Sequence, residues 1–257
     1  MKIAFISCNF PRLNIIIIVK RKREHNMKTR NNIMILDTET INEGRPLIHD
    51  FGYVIVDKHF NVLKKDRYLV KEFHKWGKNL LSSSRFYNQY THDYEQAEKT
   101  EKMLEWSEIS KIVSRETIKY NVNVISAYNL AFDLRAIDNT DKMFNRGTLY
   151  LSKTIHQKSK YLLDIWNLAC ETICVSDMYY QYCKENNAFT KCGNISTNAE
   201  NVYRFINSDW AYNEKHTALS DSEDEMQILR YIVTNEKKKK SPSYGLYYNC
   251  WKKAQRN

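Results

Sequence analysis

The chain has 257 residues, with 40 Lys and Arg against 30 Asp and Glu, a formal charge of +10. Only 6 Gly and 3 Pro argue against an all-β fold full of tight turns and against long flexible linkers. A 42% hydrophobic fraction supplies a sizeable core, and the basic balance suits a phosphate-bearing partner as well as a merely lysine-rich proteome.

Residues 1–30 read as an N-terminal extension, either disordered or a mis-assigned start. The apolar run "NIIIIV" (Asn14 to Val19) is far short of the roughly 20 residues that cross a bilayer. Phe10-Pro11-Arg12 interrupts any secretory signal, and Met27 opens a plausible start, "MKTRNNIMILD". The expectation is a cytoplasmic protein with no membrane partner.

Asn32 to Asp37 predicts a short buried strand. His49 to Asp57 and Phe60 to Val70 predict two more, with alternation at Tyr53, Ile55 and at Tyr68, Val70. Residues 71–95 show no clear period. Ala97 to Lys119 reads as one helix, with Met103, Trp106, Ile109, Ile112 and Val113 on a stripe. Val122 to Asn129 is a buried strand and Phe132 to Phe144 a helix. Tyr161 to Ile173 starts as a strand and continues as helix to about Glu185. A polar loop covers 186–198, Ala199 to Phe205 is a short helix, and Ser220 or Asp221 opens the last helix. Residues 237–257 form a basic, Tyr-rich tail. Three strands followed by alternating helices and strands predict an α/β fold with a mixed sheet, as one domain over 31–236.

Four of the six cysteines, Cys170, Cys174, Cys183 and Cys192, are spaced C-x3-C-x8-C-x8-C. That pattern lacks the tight pairs of a structural zinc site and favours free thiols, with Cys170 and Cys174 sharing a helix face.

The chemistry rests on three short segments. In "ILDTET", Asp37 and Glu39 stand two apart, so a strand turns both carboxylates to one face with Thr38 on the other. Such neighbours repel unless a cation neutralises them, and Mg²⁺ or Mn²⁺ suits oxygen ligands. Alone, this motif reads more readily as an ordinary solvated Asp-Thr-Glu-Thr turn. Asp133 follows a buried strand at the start of a helix, where an acid is also a common first-turn residue. His216 and Asp221 are five apart, with Asp221 in the first turn of the last helix, placing an imidazole beside a carboxylate.

Taken together, D-x-E, then N-x-x-F-D (Asn129, Phe132, Asp133), then H-x-A-x-x-D (His216, Ala218, Asp221) resembles the three motifs of the DEDDh family. These are proofreading-subunit-like 3′–5′ exonucleases with a ribonuclease H-like fold. The likeness spans about Met34 to Ile232. Tyr128 stands where many members carry His, and Thr197 to Glu200 with "VYRFI" is similar to phage-type members, which would place the protein in host cytoplasm.

The resemblance implies that Asp37, Glu39, Asp133 and Asp221 hold two Mg²⁺ or Mn²⁺ ions about 4 Å apart. It makes His216 the general base, gives Thr40 and Asn129 to the terminal nucleotide, and yields nucleoside 5′-monophosphates. Asp164 is expected to cap a helix, and Asp224 and Glu225 to face solvent outside the site. Partners would be single-stranded DNA or RNA 3′ ends, DNA being favoured, with Ser241 to Asn257 as a tether to a polymerase or other replication protein. An exoribonuclease with the same site and a non-catalytic nucleic-acid-binding module are the alternatives.

Overall fold

The structure is a computed structural model, and it describes residues 32–41, 44–74, 87–100, 102–145 and 150–235. The N-terminal extension and the C-terminal tail lie outside the described residues.

Six strands form a mixed sheet in the order β4-β3-β2-β1-β5-β6. β1 (Asn32–Ile41), β2 (Leu47–Val56) and β3 (Val62–Val70) make an antiparallel meander. β5 (Val122–Ala127) and β6 (Tyr161–Asp164) add in parallel on the other edge of β1, and β4 (Met103–Leu104) pairs in parallel with β3. β1 is therefore the strand at which the sheet changes from antiparallel to parallel. β2 is buried along its whole length, as a strand covered on both faces must be.

The alternation along β1 divides the core. Met34 and Leu36 face α2 (Trp106–Lys119), α3 (Leu130–Phe144) and α4 (Tyr150–Lys158), packing with Trp106, Ile109, Ile137 and Ile155. Ile35 faces the opposite layer, where Ile165, Tyr179, Val202, Ile228 and Leu229 pack beneath α5 (Ile165–Ala169), α6 (Asp177–Glu185), α7 (Ala199–Asn207) and α8 (Ala218–Asn235). Parity then assigns the next residues: Asp37 and Glu39 share the α8 side with Ile35, and Thr38 shares the α3 side with Leu36.

The strands, α3, α7 and α8 stand close to the sequence reading, and the mixed-sheet α/β fold is the expected one. Other elements correct it. Met103 is in β4, paired with Leu69, so the helix expected over Ala97 to Lys119 begins only at Trp106. A separate helix, α1 (Tyr87–Lys99), occupies part of the stretch without apparent period. The helix expected to run to Glu185 turns into a π-helical turn at Cys170–Cys174 and stops there. Ser176 then caps α6, accepting from the Tyr179 N–H. The helix α4 occupies a stretch to which the sequence pattern assigns no element. Cys170, Cys174, Cys183 and Cys192 are free thiols. Among the described residues no helix is long and apolar enough to cross a membrane.

One buried acid sets a useful standard. Asp141 is fully buried, and its carboxylate accepts from Trp106 Nε1 at 2.7 Å, Asn145 Nδ2 at 2.7 Å and the Ser152 N–H at 2.9 Å. A carboxylate held for structure has its lone pairs occupied in this way.

Candidate active site

The acidic residues gather where β1 runs past the end of β5. The parallel pairing ends at Ile35 opposite Ser126, so Asp37 and Glu39 project beyond the carboxyl edge of the parallel strands. This is the crevice in which open α/β sheets bind ligands. A register shift between Glu39 and Thr40 then bends the strand as it leaves.

Asp133 reaches the same place from the other face. The turn Tyr128–Asn129 leads into α3, and Asn129 adopts φ 66°, a left-handed conformation that asparagine tolerates. Asp164 fixes this turn. Its carboxylate accepts from the N–H groups of Asn129 and Leu130 as well as from Asn167, which caps α5 at 3.0 Å. The capping role expected for Asp164 is thus present, with a second task added. Asp133, only 2% exposed, accepts a 2.8 Å hydrogen bond from Thr38 Oγ1. Thr38 does point away from Asp37 and Glu39, and from there it holds the third carboxylate.

α8 brings the remaining residues. It starts at Ala218, so Asp221 lies in its first turn and is buried. Its N-terminus is fastened to β2. The Ala218 N–H donates to Asp50 Oδ2 at 3.2 Å, and Asp50 is itself paired with Arg67 through Nε at 3.0 and 2.9 Å. Arg67 also reaches Asp93 at 2.7 Å. Gly52 stands opposite Asp37 in the β1–β2 register, and a Cβ there would lie 2.2 Å from Ala218 C and Leu219 N. The missing side chain is what lets the helix start press against the sheet.

One ligand-type atom each from Glu39, His216 and Asp221 lies within 4.8 Å of the others. His216 has φ 52°, a left-handed conformation in the segment before α8, and its Nδ1 is 3.8 Å from Glu214 Oε2. Thr40 and Asn129 flank the cluster along the chain, and Asn129 is exposed. Phe132 is half-buried, with the Arg135 guanidinium 5.4 Å over its ring.

The electrostatics are those of crowded carboxylates. Burial, then the charge of Glu225 and those of Asp133, Glu39 and Asp221, hold Asp37 well above the ordinary carboxylate range. Burial and the Asp50 charge push Glu39 up to about 7. Burial pushes Asp133 to about 8 against the Thr38 hydrogen bond, and burial with Glu214 and Glu39 takes Asp221 to about 9. Among the described residues no lysine or arginine forms an ion pair with any of these four. Asp221 Oδ1 is buried without a hydrogen-bond partner. An all-oxygen donor set with an orphaned buried oxygen, unlike the saturated Asp141, fits hard divalent cations.

Two sequence expectations fail here. Asp224 and Glu225, expected to be solvated, are 9% and 3% exposed. The reason is that α8 packs on β1 and β2 with one side and on α7 with another, so little of its surface is left to solvent. Asp224 accepts from the Tyr212 hydroxyl, and Glu225 from the Tyr128 N–H. Glu225 belongs with the cluster, and its position one turn past Asp221 was a readable signal. Glu214, Asp50, Arg67 and Gly52 gave no such signal. Tyr128 uses its hydroxyl to hold the Thr197 carbonyl at 2.5 Å.

No family model matches the sequence, and no characterised protein matches it at the sequence level. Solved structures do resemble the fold, which is ribonuclease H-like. A product-bound exonuclease I aligns over 82% of this chain and 45% of its own, at 14% identity and a TM-score of 0.54. An apo exonuclease I aligns over 82% and 43%, at 15% identity and 0.52. An ExoI/SSB-Ct complex aligns over 82% and 42%, at 13% identity and 0.50. The chain thus spans less than half the length of these structures.

Proposed function

We propose that the protein is a 3′–5′ exonuclease of the DEDDh type, its nuclease domain spanning residues 31–236 and acting on single-stranded nucleic acid, with DNA favoured. The observation that carries this reading is the convergence of Asp37, Glu39, Asp133, His216 and Asp221 at one strand end, although they are scattered over 185 positions of sequence. The likeness of the fold to exonuclease I structures supports it.

In this reading Asp37, Glu39, Asp133 and Asp221 hold two Mg²⁺ or Mn²⁺ ions. When bound, the ions supply Lewis-acid stabilisation of the charge that develops in phosphodiester hydrolysis. His216 Nδ1 or Nε2 takes the proton of the attacking water, with Glu214 beside it to stabilise the resulting imidazolium. Thr38 and Asp164 keep Asp133 in place, and Asp50 with Arg67 keeps the start of α8 in place. Thr40 and Asn129 contact the terminal nucleotide. The product is a nucleoside 5′-monophosphate, and individual lysine and arginine side chains track the phosphates of the strand behind the 3′ end. Docking to a polymerase through Ser241 to Asn257 is a second part of the reading, tested by pull-down with that segment.

The test is a gel assay on 5′-labelled single-stranded DNA and RNA with Mg²⁺, Mn²⁺ or EDTA, beside Asp37→Ala. A ladder shortening from the 3′ end, lost with EDTA and in the variant, is expected and identifies the preferred sugar. Binding without cleavage of either polymer would overturn the reading in favour of a non-catalytic module.

A further inference from the structure

Glu225 has no part in the five-residue motif set, yet it is one of the most buried acids in the molecule. It lies one turn beyond Asp221 on α8, so the two side chains share a row of the helix facing β1. It is 3% exposed. One carboxylate oxygen is tied down by the Tyr128 N–H at the turn that carries α3, and the other, Oε2, is buried with no hydrogen-bond partner. Around it stand Asp133, Asp221 and Glu214, and it is the strongest charged neighbour of Asp37. No lysine or arginine among the described residues pairs with it.

Neither ordinary fate of a buried acid applies. A surplus surface acid would turn to water, and a structural one would fill its lone pairs as Asp141 does. Leaving a buried acceptor unmatched is costly, and more so when it is charged, so an arrangement of this kind persists where a cation satisfies it.

On the reading of the cluster as a metal centre, we infer that Glu225 is its fifth carboxylate, anchored by the Tyr128 amide and with Oε2 left to serve a bound cation. Five carboxylates against two dications leave one net negative charge, and ligand charge count is a main determinant of cation affinity. The same side chain joins α8 to the β5–α3 turn, so cation binding would tie together the elements that carry Asp221 and Asp133.

The test is Mn²⁺ titration by calorimetry on chelator-treated wild type, Glu225→Gln and Asp37→Ala, with thermal melting of each with and without Mn²⁺. Glutamine keeps the size and an acceptor for the Tyr128 N–H, and removes only the charge. The expected result is a loss of about tenfold or more in Mn²⁺ affinity at one site of Glu225→Gln. Its metal-free melting temperature should equal or exceed that of wild type, and its Mn²⁺-induced rise should be smaller. Equal Mn²⁺ affinity in wild type and Glu225→Gln, with Asp37→Ala impaired, would overturn the role of Glu225 and leave the metal centre standing. Wild type and Asp37→Ala that both fail to bind Mn²⁺, or bind it alike, would overturn the metal centre and this inference with it. Should Glu225→Gln fail to fold, Glu225→Asp reads the same quantity, because it keeps the charge and withdraws the oxygen by one methylene. Wild-type affinity there would equally overturn the inference.

Discussion

Gly52→Ala puts one methyl group between β2 and the start of α8. The added Cβ would lie 2.2 Å from Ala218 C and Leu219 N and 2.4 Å from Ala218 O. All three are main-chain atoms, so no rotamer change can relieve the clash. Moving them from 2.2 to 3.4 Å, the start of ordinary contact, requires a shift of about 1.2 Å. Asp221 rides on the same helix three residues further on, and His216 precedes it by two. Overpacking of this kind costs about 1–3 kcal/mol. For a domain of this size that is a fall of roughly 2–12 °C in melting temperature. A displacement of about 1 Å in catalytic groups costs on the order of 100-fold in rate. The assay is kcat/KM on 5′-labelled single-stranded DNA together with thermal melting. Gly193→Ala serves as control: its φ is +77° and nothing lies within 4 Å of the added Cβ. It should cost about 1 kcal/mol from the backbone alone with turnover unchanged. Wild-type turnover and melting in Gly52→Ala would refute the claim that close approach of α8 to β2 sets the site.

Further outcomes follow from the same geometry. Asp37→Ala, Glu39→Ala, Asp133→Ala and Asp221→Ala should each abolish cleavage with the fold intact by circular dichroism, while His216→Ala should lower kcat by about 10²–10⁴ and retain Mn²⁺ binding. Arg67→Ala leaves Asp50, 1% exposed, without its cation, and should destabilise by about 3–5 kcal/mol in denaturant titration. Metal-free stability should fall as pH rises. Glu39, Asp133 and Asp221 are held up to about 7, 8 and 9, so the folded state binds protons that the unfolded chain releases near pH 4. Their stabilising protons are fully present below about pH 4 and are lost as pH rises through 7 to 9. Melting between pH 5 and 9 with EDTA should show that loss, and saturating Mg²⁺ should suppress it.

The local geometry of the candidate site is more legible in the sequence than the elements around it. Period-two alternation placed Asp37 and Glu39 on one face, and the start of the last helix placed Asp221, because these depend on local geometry alone. The helix spacing that marked Met103 as part of a stripe misled, because two residues suffice for β4 once β3 offers an edge to pair with. Asp224 and Glu225 looked solvated because their neighbours in sequence are polar. Their burial comes from β1, β2 and α7 closing around α8, which no local pattern encodes. The Asp50–Arg67–Asp93 chain is of the same kind: its members come from two strands and a helix, and only the sheet register brings them together. Gly52 carries the clearest long-range constraint of all. A glycine within a strand signals a close approach without saying by what.

The central claim is that four carboxylates from β1, α3 and the first turn of α8 form a metal centre for phosphodiester hydrolysis. Anomalous diffraction from crystals grown with Mn²⁺ tests it most directly. Two peaks among the carboxylates of Asp37, Glu39, Asp133 and Asp221 are the expected result. A map with no peak there, from protein that still degrades DNA, would contradict it.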